Sequence, residues 1–158
     1  MHFHHVIEAT DNAEDPNWYV IREADEVEEH EGGAAQYGRD VLTNWLDDEK
    51  TEGIGPALDE YNNPYRRVIV RFDDEGDIAA TIGADDLDEP AGELAAVEKA
   101  RTAKLYAKHL DTLADAQLEE AFLAARAKGH GANELARLAA PALSRPIALR
   151  MMRPASTI

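Results

Sequence analysis

The sequence predicts an α+β protein: a small antiparallel ββαββ domain, then a long helix, then a C-terminal helical bundle containing a helix-turn-helix. Three observations point there. The N-terminal half alternates short β-branched and aromatic runs with Asp-, Asn-, Gly- and Pro-rich turns, interrupted by one stretch of helical spacing. From Glu93 the chain is Ala-rich, with apolar residues three and four apart. The charge also changes sign: residues 1–99 hold 7 Lys+Arg against 27 Asp+Glu, a balance of −20, and residues 100–158 hold 9 against 5, a balance of +4. These shifts predict an acidic domain over 1–88 and a helical domain over 89–158.

His4 to Ala9 and Trp18 to Arg22 are strand runs, and the turn chemistry from Asp11 to Asn17 pairs them as a hairpin. Gly32-Gly33 then breaks the chain. Ala34, Tyr37, Val41, Leu42 and Trp45 recur at helical spacing and predict one amphipathic helix. Asp47 to Tyr65, with Gly, Pro and Asn scattered through it, reads as a loop. Arg66 to Phe72 and Ile78 to Ile82 form a second hairpin across Asp73-Asp74-Glu75-Gly76-Asp77, and the helix packs on one face of the sheet. Gly83 to Pro90 is an acidic linker whose proline suits a helix start. Leu94 and Val97, then Leu105, Tyr106, His109, Leu110 and Leu113, predict a long helix with one apolar seam, a surface on which two chains can pair as a homodimer.

The segment 116–153 predicts helix, turn, short helix, turn, short helix. Leu118, Ala121, Phe122 and Ala125 form one stripe, and Gly129 and Gly131 can take the positive φ that ends a helix. In the next helix Leu135, Leu138 and Ala139 are expected to face inward. Ser144 is a strong N-cap, Pro146 fits the first turn of the last helix, and Ile147 and Met151 would anchor it by their i, i+4 spacing. Arg145 and Arg150 lie off that stripe and Arg153 follows it. With Arg137 and Ser144 they are the candidate DNA-binding residues, because an arginine reaches a phosphate or bonds a guanine edge bidentately.

The run Lys128-Gly129, then Glu134-Leu135-Ala136-Arg137, then Ser144-Arg145-Pro146 resembles the helix-turn-helix of resolvase-type recombinases and small actinobacterial regulators. There a Lys/Gly turn precedes a Glu-Leu-Ala-Arg helix, and Ser-Arg-Pro opens the recognition helix. The resemblance implies that the helix after Ser144 enters a groove of double-stranded DNA. In this chain the turn Ala140-Pro141-Ala142-Leu143 is longer than the usual tight turn, and the last helix has few polar side chains beyond its arginines.

Other chemistries find less support. No run of about 18 apolar residues occurs, so no membrane partner is expected, and no basic start leads an apolar stretch. With no cysteine, disulfides and thiolate chemistry are excluded, and a cytoplasmic location is expected. The Ala, Asp, Glu and Arg bias fits a high-GC bacterium, its phage or a plasmid. There is no P-loop, dinucleotide fingerprint, Gly-x-Ser-x-Gly or His-Glu-x-x-His, so neither catalysis nor a cofactor is expected. His2 and His4 share a strand face beside His5, but without a fixed third ligand a frayed or solvent-facing strand is the simpler reading than a metal site. Asp73 to Asp77 lacks the full loop and terminal Glu of a calcium hand and reads as an acidic turn, and Asp85 to Glu89 reads as a linker or N-cap region. Trp18, Tyr19, Tyr37 and Trp45 are expected to pack in the core, since their acidic surroundings repel a phosphate backbone.

The sequence therefore leads to a dimeric DNA-binding transcriptional regulator. Two alternatives stay open. The acidic domain can imitate DNA and occupy a basic partner protein through charge complementarity. Alternatively, the helices serve only assembly, in a structural protein.

Overall fold

Asn12 closes the first hairpin. Its Oδ1 accepts the N–H groups of Glu14 at 2.9 Å and Asp15 at 3.3 Å, an Asx turn that brings β1 (His2–Thr10) back into β2 (Tyr19–Glu23). The computed structural model describes residues 1–12, 14–52, 65–74, 76–88 and 90–153. It is an α+β structure whose five-stranded antiparallel sheet has the order β2-β1-β4-β5, with β4 spanning Tyr65–Arg71 and β5 Ile78–Gly83. A short β3 (Glu28–Glu29) pairs with His2 and Phe3 at the start of β1. The sequence offered no alternation to reveal it, because both its side chains are exposed glutamates.

Helix α1 (Ala34–Glu52) packs across β1, β4 and β5. It outruns the expected helix and takes in Asp47 to Glu52, because the first breaker is Gly53. The rest of the expected loop, 53–64, lies outside the described residues. Phe3, Ile7, Leu42, Val68 and Val70 are fully buried between helix and sheet, and burying each contributes about 1.5–3 kcal/mol. Gly38 permits the close approach: a Cβ there would meet Ile82 Cγ1 at 2.7 Å.

The other sheet face is mixed, with the apolar pair Val6 and Ile69 beside charged residues. Glu8 and Arg67 stand opposite each other in register, joined at 2.6 Å, and the Arg67 guanidinium lies 4.1 Å from the centre of the Trp18 ring. Trp18 is thus half-buried under a cation, whereas Tyr37 and Trp45 do belong to the helix-side core. His4 is 4% exposed, and its Nε2 is 3.1 Å from the Ala24 carbonyl, so the solvent-facing strand expected for it is corrected. β1 is a central strand, with β2 and β3 on one side and β4 on the other. Among the described residues, no three His, Asp or Glu side chains gather as a metal would require.

Helix α2 (Glu93–Ala127) supplies the last layer. Thr102, 4% exposed, accepts the Ala34 N–H at 3.2 Å and donates to the Glu98 carbonyl at 3.1 Å. It serves as a tertiary cap for α1, whose first N–H groups have no partner within their own helix. One turn earlier on α2, Glu98 grips buried Arg39 with two bonds, of 2.6 and 3.3 Å. Leu105 and Tyr106 join the sheet core, and His109 approaches Asp73 at 3.4 Å. The expected single seam is therefore divided: Leu94, Val97, Leu110 and Leu113 stay exposed. The compact units are Met1–His109 and Leu110–Ile158, and the division between them falls inside α2. No described helix is long and apolar enough to cross a membrane.

Thr102→Val keeps the shape and removes the acceptor, leaving a buried N–H unpaired. It should lower stability by about 1–3 kcal/mol in chemical denaturation.

A second outcome concerns pH. Tyr37 donates to Glu28 at 3.1 Å, so the His5 Nδ1 at 2.8 Å from the same hydroxyl acts as the donor to it. Burial, then the Glu28 bond and charge, push the Tyr37 hydroxyl far above the ordinary tyrosine range. Burial also holds His5 below its ordinary value of 6.5; Glu28 opposes this, and His4 and Arg22 add to it. Below pH 6.5 the unfolded chain takes up a proton at His5 that the folded chain resists, so stability falls as pH falls. His5→Gln should show a smaller loss of thermal midpoint than wild type between neutral and mildly acidic pH, and an equal loss would remove His5 from the account.

Candidate nucleic-acid interface

The second unit is built on the end of α2. Gly129, with φ of +92°, terminates the helix: the His130 N–H reaches back to the Ala125 carbonyl at 3.2 Å and the Gly129 N–H to Arg126 at 3.0 Å. This pair of bonds is a Schellman ending. Gly131 then takes the N-cap position of α3 (Ala132–Leu138), at an ordinary negative φ of −73°. A turn from Ala139 to Leu143 leads to α4 (Arg145–Met151). Phe122, Leu135, Ala136, Ala148 and Met152 form the small core, with Leu118, Ala125 and Leu143 packed around it.

Two inward assignments made from spacing are corrected. Leu138 is 72% exposed, and Ala136 takes the inward place beside Leu135. Ile147 is 40% exposed, while Ala148 and Met152, also four apart, anchor α4. In α4 the buried stripe is shifted by one residue, whereas in α3 Leu135 and Ala139 keep their inward places and only Leu138 gives way to Ala136; helices of seven residues are too short for periodicity to fix their rotation.

The candidate residues do not share one environment. Arg150 is exposed in the last turn of α4, and Arg153 is exposed just past the helix, its N–H bonded to the Arg150 carbonyl at 3.1 Å. At 100° per residue Arg150 lies opposite the Ala148–Met152 stripe, and exposed Pro146 and Ile147 share its side. Arg145, by contrast, turns to α3 and donates to Asn133 Oδ1 at 2.9 Å. Asn133 was not anticipated; its only sequence signal is a polar residue in the first turn of α3. Arg137 is exposed in the last turn of α3. Ser144 occupies the N-cap position with extended φ and ψ, but its side chain makes no capping bond; its carbonyl accepts the Ala148 N–H at 3.0 Å. The side-chain cap expected there is corrected to a backbone start.

No protein-family model, curated protein or solved structure matches the chain. The site must be judged on its own chemistry. Residues 121–158 contain six Lys+Arg and a single acidic residue, Glu134. Exposed cations on a packed, rigid three-helix support, with an apolar Ile147 beside them, can neutralise phosphates and touch a thymine methyl.

The caps make a paired test. Gly129→Ala meets no atom within 4 Å but forces an alanine to a positive φ, so it should cost about 1 kcal/mol. Ser144→Ala removes no side-chain bond and should cost less than the usual cap deletion of about 1 kcal/mol. Circular-dichroism melts of the two variants give the order.

Proposed function

We propose that the protein is a DNA-binding transcriptional regulator that contacts double-stranded DNA through α4, acting as a homodimer. The observation that carries the reading is the pair Ile147 and Arg150, exposed on the side of α4 away from the core, with Arg153 exposed just past the helix end, in a part of the chain with almost no acidic residues. Arg137 and Lys128 extend the cationic surface for phosphate contact, and Arg145 holds α4 to α3 through Asn133. Exposed Leu110 and Leu113 are the apolar side chains a second copy would cover, and a two-fold pair of such units meets two half-sites. The strongly negative first unit discourages loose binding by repulsion, so that only a site giving good arginine contacts retains the protein.

Selection of bound fragments from genomic DNA, followed by gel shift on the best site, tests this. Arg150→Ala should weaken specific binding about tenfold or more, since an arginine bonded to guanine discriminates by roughly 1–3 kcal/mol. It should leave the melting temperature nearly unchanged, as exposed substitutions do. Affinity should fall steeply with salt, and titration should give two chains per site. Equal binding by Arg150→Ala would remove α4 from DNA recognition and favour the protein-binding or assembly readings.

A further inference from the structure

β5 ends the strand order, and among the described residues no strand pairs with its outer side. Its sequence, Ile78-Ala79-Ala80-Thr81-Ile82-Gly83, has no charge and no proline, the usual protections of an edge. One register irregularity lies opposite Ala79; from Ala80 to Gly83 the pairing with β4 is regular. In an antiparallel ladder, residues alternate between directing both backbone groups at the partner strand and directing both away. The Gly83 N–H turns away from β4, to Asp86 Oδ2 at 2.9 Å. Two residues earlier, Thr81 therefore also presents its N–H and C=O outward.

A groove of about 550 Å³ runs along this edge. Residues from both sheet faces line it, Ala80 and Ile82 from the helix side and Thr81 from the other, as a channel following the backbone edge requires. Its far wall comes from Pro90, Glu98 and Arg101 of the same unit.

We infer that the free edge of β5 accepts an extended, basic segment of a partner protein as an added strand. Backbone bonds to Thr81 supply the pairing, and exposed Ile78 offers an apolar contact. The charges select the occupant. Asp74 and Asp77 precede the strand, and Asp85, Asp86 and Asp88 follow it; the groove lining also holds Arg101, and Arg39 paired with Glu98, so the carboxylates outnumber the cations. A second copy pairing antiparallel would set the aspartates at the start of one strand beside those at the end of the other. A strand carrying Lys or Arg toward both ends would meet carboxylates at both. This inference does not depend on DNA binding by α4.

The test is fluorescence anisotropy of the full-length protein with a short labelled peptide alternating Lys and Val. Its controls are the Glu-Val counterpart and a Lys-Val peptide N-methylated at alternate residues, which keeps the charge and removes donors from one edge. Saturable binding of the plain Lys-Val peptide is expected, at least about tenfold tighter than the methylated one, with none for Glu-Val. Thr81→Pro deletes an outward N–H without touching the β4 ladder and should weaken binding about tenfold while the far-ultraviolet spectrum is kept. Equal binding of plain and methylated peptides would reduce the effect to charge attraction and overturn strand addition. Equal binding by folded Thr81→Pro, or no binding of the Lys-Val peptide, would also overturn it. A dimer that Thr81→Pro abolishes would make a second copy the occupant and equally overturn the proposal. Should Thr81→Pro fail to fold, the methylated peptide decides alone.

Discussion

Thr102 is where the first unit is tied together. A helix that starts against a packed neighbour has N–H groups that water cannot reach, and α1 begins with Ala34 fully buried. The hydroxyl of a residue far along the chain fills that need, and in doing so fixes the rotation and height of α2 against α1. Arg39 and Glu98 depend on that placement. A buried guanidinium is tolerable only where a carboxylate meets it squarely, and Glu98 does so from the preceding turn of the same helix. Leu105 and Tyr106 then reach the sheet core in register with these two contacts. The polar bonds specify the docking, and the apolar burial supplies most of its strength.

The two ends of the chain have opposite electrostatic characters, and each can be understood from its neighbours. Carboxylates crowd the turns and edges of the sheet, where most are exposed. Two that are drawn inward are matched, Glu8 by Arg67 and Glu98 by Arg39. At the other end the arginines project from short helices whose packing uses small side chains, with Ala136 and Ala148 at the crossing. Alanine at such crossings lets the helices approach closely and leaves the long cationic side chains to the rim.

The four longer strands, the first helix, the start of α2 at Glu93 and the order of these elements were legible in the sequence, because alternation and helical spacing persist there over enough residues to be unambiguous. What escaped was whatever depends on contacts between distant segments. Nothing about Thr102 marks it as a cap for Ala34. The apolar run on α2 looked continuous, since spacing records which side chains share a face and not how far along the helix a partner extends. β3 has only two glutamates and is a strand solely because Phe3 and His2 offer it backbone groups. In the candidate interface, α3 and α4 were legible as helices, but Leu138 and Ile147 were assigned to the wrong side and the Asn133–Arg145 bond had no advance signal.

The aromatic residues are distributed unevenly between the two units. Both tryptophans and every tyrosine precede Leu110, and Phe122 is the sole aromatic ring of the remaining chain apart from His130. Intrinsic tryptophan fluorescence consequently reports on the sheet unit alone: Trp45 sits against its core, and Trp18 lies under a guanidinium. The helical signal in the far ultraviolet arises from both units. Melting curves followed by the two optical probes coincide only if the units unfold as one cooperative block, so this chain carries a built-in reporter of whether its halves are thermodynamically coupled.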